Sequence, residues 1–281
     1  MKKTKDSLGD RMKAYENISR IYLTKRSPVI IRIDGKAFHT FTRGFAKPFD
    51  KFFMTAMQET AKHLCKEIVG CKLAYVQSDE ISLLLTDYDT IGTQPWFENN
   101  LQKLVSVSAS IATLAFNRAF ASLTRDLSDK YAYHAVTMKN LWGERDEKNF
   151  DAYSTAYCRG ATFDARAFIL PKEEVCNYFI WRQQDATRNS ILAVAQSVLS
   201  HKEMQGKKCT DLQDILFTQK GINWNHFPAA EKRGACIVKT TVDKNGTERR
   251  EWIVDFDIPV FTQDKEYIDN KVYIKEAQNA R

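Results

Sequence analysis

Three acidic residues stand out because of what surrounds them. Asp34 closes an apolar run over 29–33 that only Arg32 interrupts, and Gly35 follows it. Asp79 and Glu80 come 45 positions later, after Ser78, at the junction of two further apolar runs over 72–77 and 81–86. Carboxylates brought together repel one another unless a cation lies between them, and an all-oxygen ligand set suits Mg²⁺. Two such ions about 4 Å apart activate an attacking hydroxyl and stabilise a leaving pyrophosphate. Each motif alone also has a plainer reading, with Asp34 capping a turn and Asp79-Glu80 forming a solvated β-turn. Only a fold that joins the two separates these readings.

The elements that must position these acids are legible in outline. Residues 29–33 read as a short strand entered from Pro28. The spacing of Phe53, Met57, Ala61, Leu64 and Ile68 predicts a helix over 50–69, with Gly70 placed to end it. Strands over 72–77 and 81–86 follow, then a loop over 87–95. A long helix is expected over 98–123, with Ser108, Ala109, Ala112 and Ala115 on an inner face small enough to lie close to a sheet. Residues 124–161 carry no clear period. A strand is expected over 164–170, and a helix from Pro171 to about 199.

The order is that of a ferredoxin-like βαββαβ unit in the α+β class: an antiparallel sheet with both helices on one face. Its first and third strands are neighbours, so Asp34 faces Asp79 there, as in a polymerase palm. The last third differs. Residues 235–242 and 251–256 flank Asp243-Lys244-Asn245-Gly246 and predict a hairpin, whose length and charge suggest an exposed projection. The expected division is a catalytic domain with helical additions over 1–240 and an extension over 241–281.

Bulk properties narrow the partners. Lysine and arginine number 42 against 35 acids, a formal charge of +7, with basic pairs at Lys2-Lys3, Lys207-Lys208, Lys232-Arg233 and Arg249-Arg250. That balance favours a polyanionic partner, since neutralised phosphates release counterions. Six scattered cysteines form no CxxC pair, which argues against a zinc site and a disulfide framework. No apolar run reaches the roughly 20 residues of a membrane span. The basic N-terminus leads into no apolar stretch, so the expectation is a cytoplasmic protein without membrane partners.

Joined together, the motifs are recognisable. Arg32-Ile33-Asp34-Gly35-Lys36-Ala37-Phe38-His39, Phe45-Ala46-Lys47-Pro48 and Gln77-Ser78-Asp79-Glu80 resemble the tRNA-His guanylyltransferase family and its bacterial and archaeal relatives. Trp181-Arg182-Gln183-Gln184-Asp185, Gly221-Ile222-Asn223-Trp224-Asn225 and Lys232-Arg233-Gly234 extend the likeness, so it spans roughly 9–240. The resemblance implies a palm fold and a tRNA substrate extended in the 3′–5′ direction. ATP first adenylylates the 5′-monophosphate; the 3′-hydroxyl of GTP or another NTP then attacks that end and expels AMP, or pyrophosphate when the end is a triphosphate. By position, Asp34 and Asp79 would hold two Mg²⁺ ions with the Gly35 carbonyl, and Glu80 matches a carboxylate needed for activity. Lys36, Ala37, Phe38 and His39 match the segment facing the triphosphate, with Lys47 and Ser78 as further contacts. Ala46 and Asp50 match positions that touch guanine, and Lys103 matches a basic residue near the activating ATP. The family also implies a homotetramer.

Two departures bear on specificity. Eukaryotic members place a histidine that reads the anticodon just after the Trp-Arg-Gln motif, and Thr187 stands there in this chain. Relatives with this change resemble repair enzymes that restore truncated tRNA 5′ ends by adding whichever nucleotide pairs with the opposite strand. Asn100 replaces an arginine found in some members near the activation site. The expectation is therefore a template-dependent 3′–5′ nucleotidyltransferase. Alternatives are a dedicated enzyme adding one G to tRNA-His, a palm-type nucleotide cyclase, and a non-catalytic RNA-binding protein. The cyclase signature loop is missing, and a binding module gains nothing from clustered acids beside phosphate.

Overall fold

Asp34 reaches the site because β1 (Val29–Gly35) is gripped on both sides. Its neighbours in the sheet are β3 (Glu80–Leu85) and β4 (Phe163–Ile169), both antiparallel to it. The computed structural model describes residues 7–137, 144–244 and 247–273. In chain order, α1 (Ser7–Ile18) precedes β1, and α2 (Phe38–Phe41) and α3 (Lys51–Glu67) follow it. Then come β2 (Cys71–Gln77), β3, α4 (Leu101–Thr137), α5 (Glu144–Arg159), β4 and α6 (Lys172–Val198). After them lie α7 (His201–Met204), α8 (Cys209–Lys220), α9 (Ala229–Arg233), β5 (Ala235–Lys244), β6 (Thr247–Asp255) and α10 (Glu266–Val272).

The sheet order is β4-β1-β3-β2-β5-β6, with every pair antiparallel. Its first four strands, with α3 and α4, are the expected βαββαβ unit. Alternation along the strands divides the core in two. Ile31, Ile33, Ala74, Val76, Ile81 and Leu83 face α3 and α4, together with Met57, Leu64, Ala112 and Phe116. The small residues Ser108 and Ala112 are fully buried on α4, as their spacing implied. Ile30, Leu73, Tyr75 and Leu84 face the other way, towards Val175 and Phe179 of α6 and Ile268 and Val272 of α10. Both faces are therefore covered. A third, smaller core joins the C-terminal half of α6 to α8 through Ile191, Val194, Ala195, Leu212 and Leu216.

Three expectations change. The stretch 124–161 contains the rest of α4 and, beyond residues outside the description, α5. Leu101–Leu127 also has the length and composition of a membrane span, contrary to the sequence expectation; here its apolar face, including Leu104, Phe116 and Phe120, is core of this fold. The third change concerns the hairpin. It begins inside the sheet, where Ala235–Val238 pair with Leu73–Val76, because Ala235, Cys236 and Ile237 are apolar and find a free edge at β2. Only its charged outer half runs past β2, and residue 240 lies within β5.

Residues after the hairpin complete the second core. Ile258, Phe261, Ile268 and Val272 are all buried, and Phe261 stacks on Tyr267 and meets Tyr75 edge-on. Phe261→Ala is expected to cost about 3–5 kcal/mol in chemical denaturation. A loss below about 1 kcal/mol would show that this segment lies outside the cooperative core.

Candidate active site

The site forms where β1 ends and the β2–β3 turn begins. Asp34 pairs in register with Glu80, and the Gly35 amide donates to the Asp79 carbonyl at 3.1 Å. Asp34 also lies opposite Asp164 of β4, an exposed acid on the same face. Gly35 is required: a Cβ there would come within 2.3 Å of the Phe38 ring. That ring is buried among Phe41, Phe53, Phe116 and Phe163, and so anchors the turn that follows β1. Ala37 has φ 56°, the left-handed conformation that reverses the chain into α2.

One cavity of about 520 Å³ collects Gly35, Ala37, Phe38, His39, Ala46, Lys47, Asp50, Ser78 and Asp79. His39, Lys47 and Ser78 are exposed at it. The Ala37, Phe38 and His39 amides donate to no described residue, whereas the Lys36 amide is bound to the Thr162 carbonyl at 2.9 Å. The Lys36 side chain borders a neighbouring cavity with Thr40 and Arg159. Phe38 lines the cavity while its side chain belongs to the core.

Asp50 has structural duties. One carboxylate oxygen accepts from the Phe53 amide at 2.8 Å, capping α3. The other accepts from the Ala46 amide at 2.8 Å and the Tyr153 hydroxyl at 2.7 Å. Tyr153, from the stretch without a period, stacks on Phe52 with centroids 4.6 Å apart. Asp50 thus fixes the Ala46-Lys47 loop against α3 and α5.

Lys103 is not brought to this cavity. It lies in the first turn of α4, with its ammonium 5.5 Å from the Phe97 ring. The part of α4 beside the site is further on, where Thr113 accepts from the Phe163 amide at 3.2 Å. Ten residues of helix span about 15 Å.

Electrostatics divide the acids into two groups. Glu80 is buried and doubly paired. Arg182 of α6 donates to both its oxygens at 2.7 Å, and Arg32 reaches it at 2.6 Å. Burial still pushes the Glu80 carboxyl above its ordinary value, with Arg182 and Arg32 opposing. Asp34 and Asp79 have no ion-pair partner among the described residues. Burial raises the Asp79 carboxyl, and the charge of Asp34 adds to it. Sequence reasoning assigned no role to Arg182, Arg32 or Tyr153. The signal for Arg32 was present, a cation inside an apolar strand.

Comparisons with known proteins agree with this geometry. The tRNAHis guanylyltransferase family model matches residues 9–171. The chain belongs to this family of nucleotidyltransferases. It is similar to the tRNA(His) guanylyltransferase of Schizosaccharomyces pombe, 27% identical over 83% of this chain and 80% of the relative. Among solved structures it resembles a bacterial tRNA(His) guanylyltransferase-like protein in complex with ATP. The identity is 47% and the TM-score 0.77, over 96% of this chain and 100% of that one. A GTP complex of such a protein matches at 46% identity and TM-score 0.75, over 95% and 100%. The fold is shared with the Saccharomyces cerevisiae guanylyltransferase at 21% identity and TM-score 0.59, over 89% and 98% of the two chains.

The Asp79 shift has a testable sign. A carboxyl raised in the folded state makes that state bind more protons than the unfolded chain. Stability therefore falls as pH rises from the ordinary carboxylate value through the raised one, and stays lower above it. Asp79→Asn removes this cost. Without divalent ions, the variant should have a higher Tm than wild type at pH 7, and the gap should close as pH falls through the carboxylate range. A variant Tm below wild type at pH 7 would contradict this account.

Proposed function

We propose that this chain adds nucleotides in the 3′–5′ direction to the 5′ end of tRNA, guided by the opposite strand. The observation that carries this reading is the closeness of Asp34 to Asp79, whose carbonyl accepts from the Gly35 amide, beside a cavity that Gly35 and Asp79 line with His39, Lys47 and Ser78. Among the described residues neither acid has an ion-pair partner, while Glu80 beside them has two. An uncompensated pair of adjacent acids suits divalent cations, and Mg²⁺ takes one or two carboxylates with waters and phosphate oxygens. Asp34, Asp79 and the Gly35 carbonyl would hold two such ions. Bound there, they would supply Lewis-acid stabilisation of phosphate charge and activation of a hydroxyl.

The chain's own residues supply the rest. Lys47 offers a cation at the cavity edge and Ser78 a hydroxyl. The open amides of Ala37, Phe38 and His39 offer donors for phosphate oxygens. Asp50 holds the loop carrying Ala46 and Lys47, so its part towards guanine is to place that loop. ATP and GTP are bound by the bacterial relatives and are proposed as substrates here.

Template dependence is favoured by Thr187, half-buried on α6, which lacks the ring stacking and hydrogen bonds of a base-reading histidine. An oligomer, taken as the homotetramer that the family implies, is supported by α1. This helix buries none of its residues and leaves Leu8, Tyr15 and Ile18 exposed. Six free thiols suit the reducing cytoplasm.

The test uses a 5′-monophosphorylated tRNA lacking its first nucleotide, with ATP, Mg²⁺ and each NTP in turn. Two templates differ only in the base opposite the gap. The added nucleotide should follow the template in both. Addition of G alone, to tRNA-His alone, would identify a dedicated guanylyltransferase; turnover of GTP without RNA would identify a cyclase. Asp79→Ala should lower both adenylylation and transfer by roughly 10³-fold or more. Accumulation of adenylylated tRNA at the wild-type rate would refute that. Lys47→Ala should raise the KM for NTP about tenfold, the size of a lost charge-assisted phosphate contact. Unchanged kinetics at low NTP would remove Lys47 from the site.

A further inference from the structure

We propose that Arg182 is a positioning residue that holds Glu80 away from the space between Asp34 and Asp79, so that two carboxylates and not three face the cations. This rests on the cation-site reading above.

Glu80 is placed to be a third ligand. It follows Asp79 directly and is the in-register partner of Asp34 on the neighbouring strand. Side chains so paired lie about 5 Å apart at Cβ, on one face of the sheet. A free carboxylate there would turn towards any divalent ion bound by its neighbours.

The structure occupies it fully instead. Arg182 Nε donates to Oε1 and Nη2 to Oε2, each at 2.7 Å, in the two-pronged geometry that fixes a carboxylate plane. Arg32 Nη2 adds a contact of 2.6 Å to Oε2, and the Ser82 hydroxyl donates to Oε1 at 3.4 Å. Arg182 is itself immobilised. It is only 4% exposed, donates to Asp185 at 3.0 Å and lies 4.5 Å from the Trp181 ring. Asp185 continues the chain of contacts to Arg188 and to Asn189 at 3.3 Å on the exposed face of α6.

The consequence is a particular response to losing Arg182. A buried carboxylate stripped of its main partner seeks another positive charge. Arg32 alone satisfies part of it, and a divalent ion held by Asp34 and Asp79 is the nearest other source. A third ligand would bind that ion more tightly and fill a position that water or a phosphate oxygen must occupy. Cation affinity and turnover should then move in opposite directions, whereas simple loss of structure lowers both.

Mn²⁺ binding to the full chain without nucleotide, followed by electron paramagnetic resonance, measures this directly. Arg182→Leu should bind Mn²⁺ at least fivefold more tightly than wild type, while kcat falls at least tenfold and the KM for NTP changes less than threefold. The double variant Arg182→Leu with Glu80→Leu should return Mn²⁺ affinity to within twofold of wild type. Arg182→Lys keeps the charge but not the two-pronged bond, so it should shift affinity in the same direction by less; it carries the test if Arg182→Leu does not fold. Unchanged or weaker Mn²⁺ binding in a folded Arg182 variant overturns the proposal, as does a double variant that stays tight. Absence of Mn²⁺ binding in wild type would instead fail the cation-site reading, and this proposal with it.

Discussion

The register between β1 and β3 is the constraint on which the site depends. Side chains alternate along a strand, so a slip of one residue exchanges the two faces of the whole strand. In the observed register Ile31 and Ile33 enter the core beneath α3 and α4, and Arg32 and Asp34 share the opposite face with Ser82 and Glu80. A slip would bury Arg32 and Asp34 in the apolar layer beneath α3 and α4 and turn Ile31 and Ile33 towards the face where Arg182 meets Glu80. Hydrophobic burial at the alternate positions thus holds the acids in place. The energy that aligns Asp34 with the β2–β3 turn comes from residues without chemistry of their own.

That alignment creates an electrostatic problem, which the fold treats unevenly. Glu80 is the more deeply enclosed acid and has two arginines, one from its own sheet and one from α6. Breaking such a pair by removing one partner costs about 3–5 kcal/mol, because the charge left behind stays buried. Among the described residues Asp34 and Asp79 receive no equivalent partner, and burial makes the ionised form of Asp79 costly. This contrast between uncompensated acids and a neutralised neighbour is the ground on which an external cation is proposed for the site. The aromatic cluster around Phe38 supplies the rigidity this needs, by fixing the turn after Gly35 from below.

The C-terminal third has a structural part in the same arrangement. α6 carries Arg182 to Glu80, and α6 is seated by Phe179 and Val175 against a core that Phe261, Ile268 and Val272 complete. Gln183 adds polar fixation, donating to the Pro259 carbonyl and accepting from the Phe261 amide, both at 2.9 Å. Removing the segment after the hairpin would therefore disturb the support of the site from one face of the sheet, although none of its described residues borders the main cavity.

Much of the catalytic unit was legible because its signals are local. Period-two and period-3.6 patterns located the first three strands, α3 and most of α4. Apolar strands ending in acids marked Asp34 and Asp79, and the motif likeness named the loop from Lys36 to His39 and the Lys47 segment. What the sequence could not contain was which side chains are spent on the fold. Asp50 caps a helix, Phe38 fills a core and the Lys36 amide is taken by Thr162. The hairpin read as a projection because its charges dominate its composition, yet its first four residues had a free strand edge to join. The Arg182–Glu80 pair links positions 102 residues apart. Composition and spacing determine which elements form and which groups are able to react. Partnership between distant groups depends on how those elements are stacked, and only the tertiary structure decides that, because the hydrogen bonds and buried charges involved exist only once the chain has closed around them.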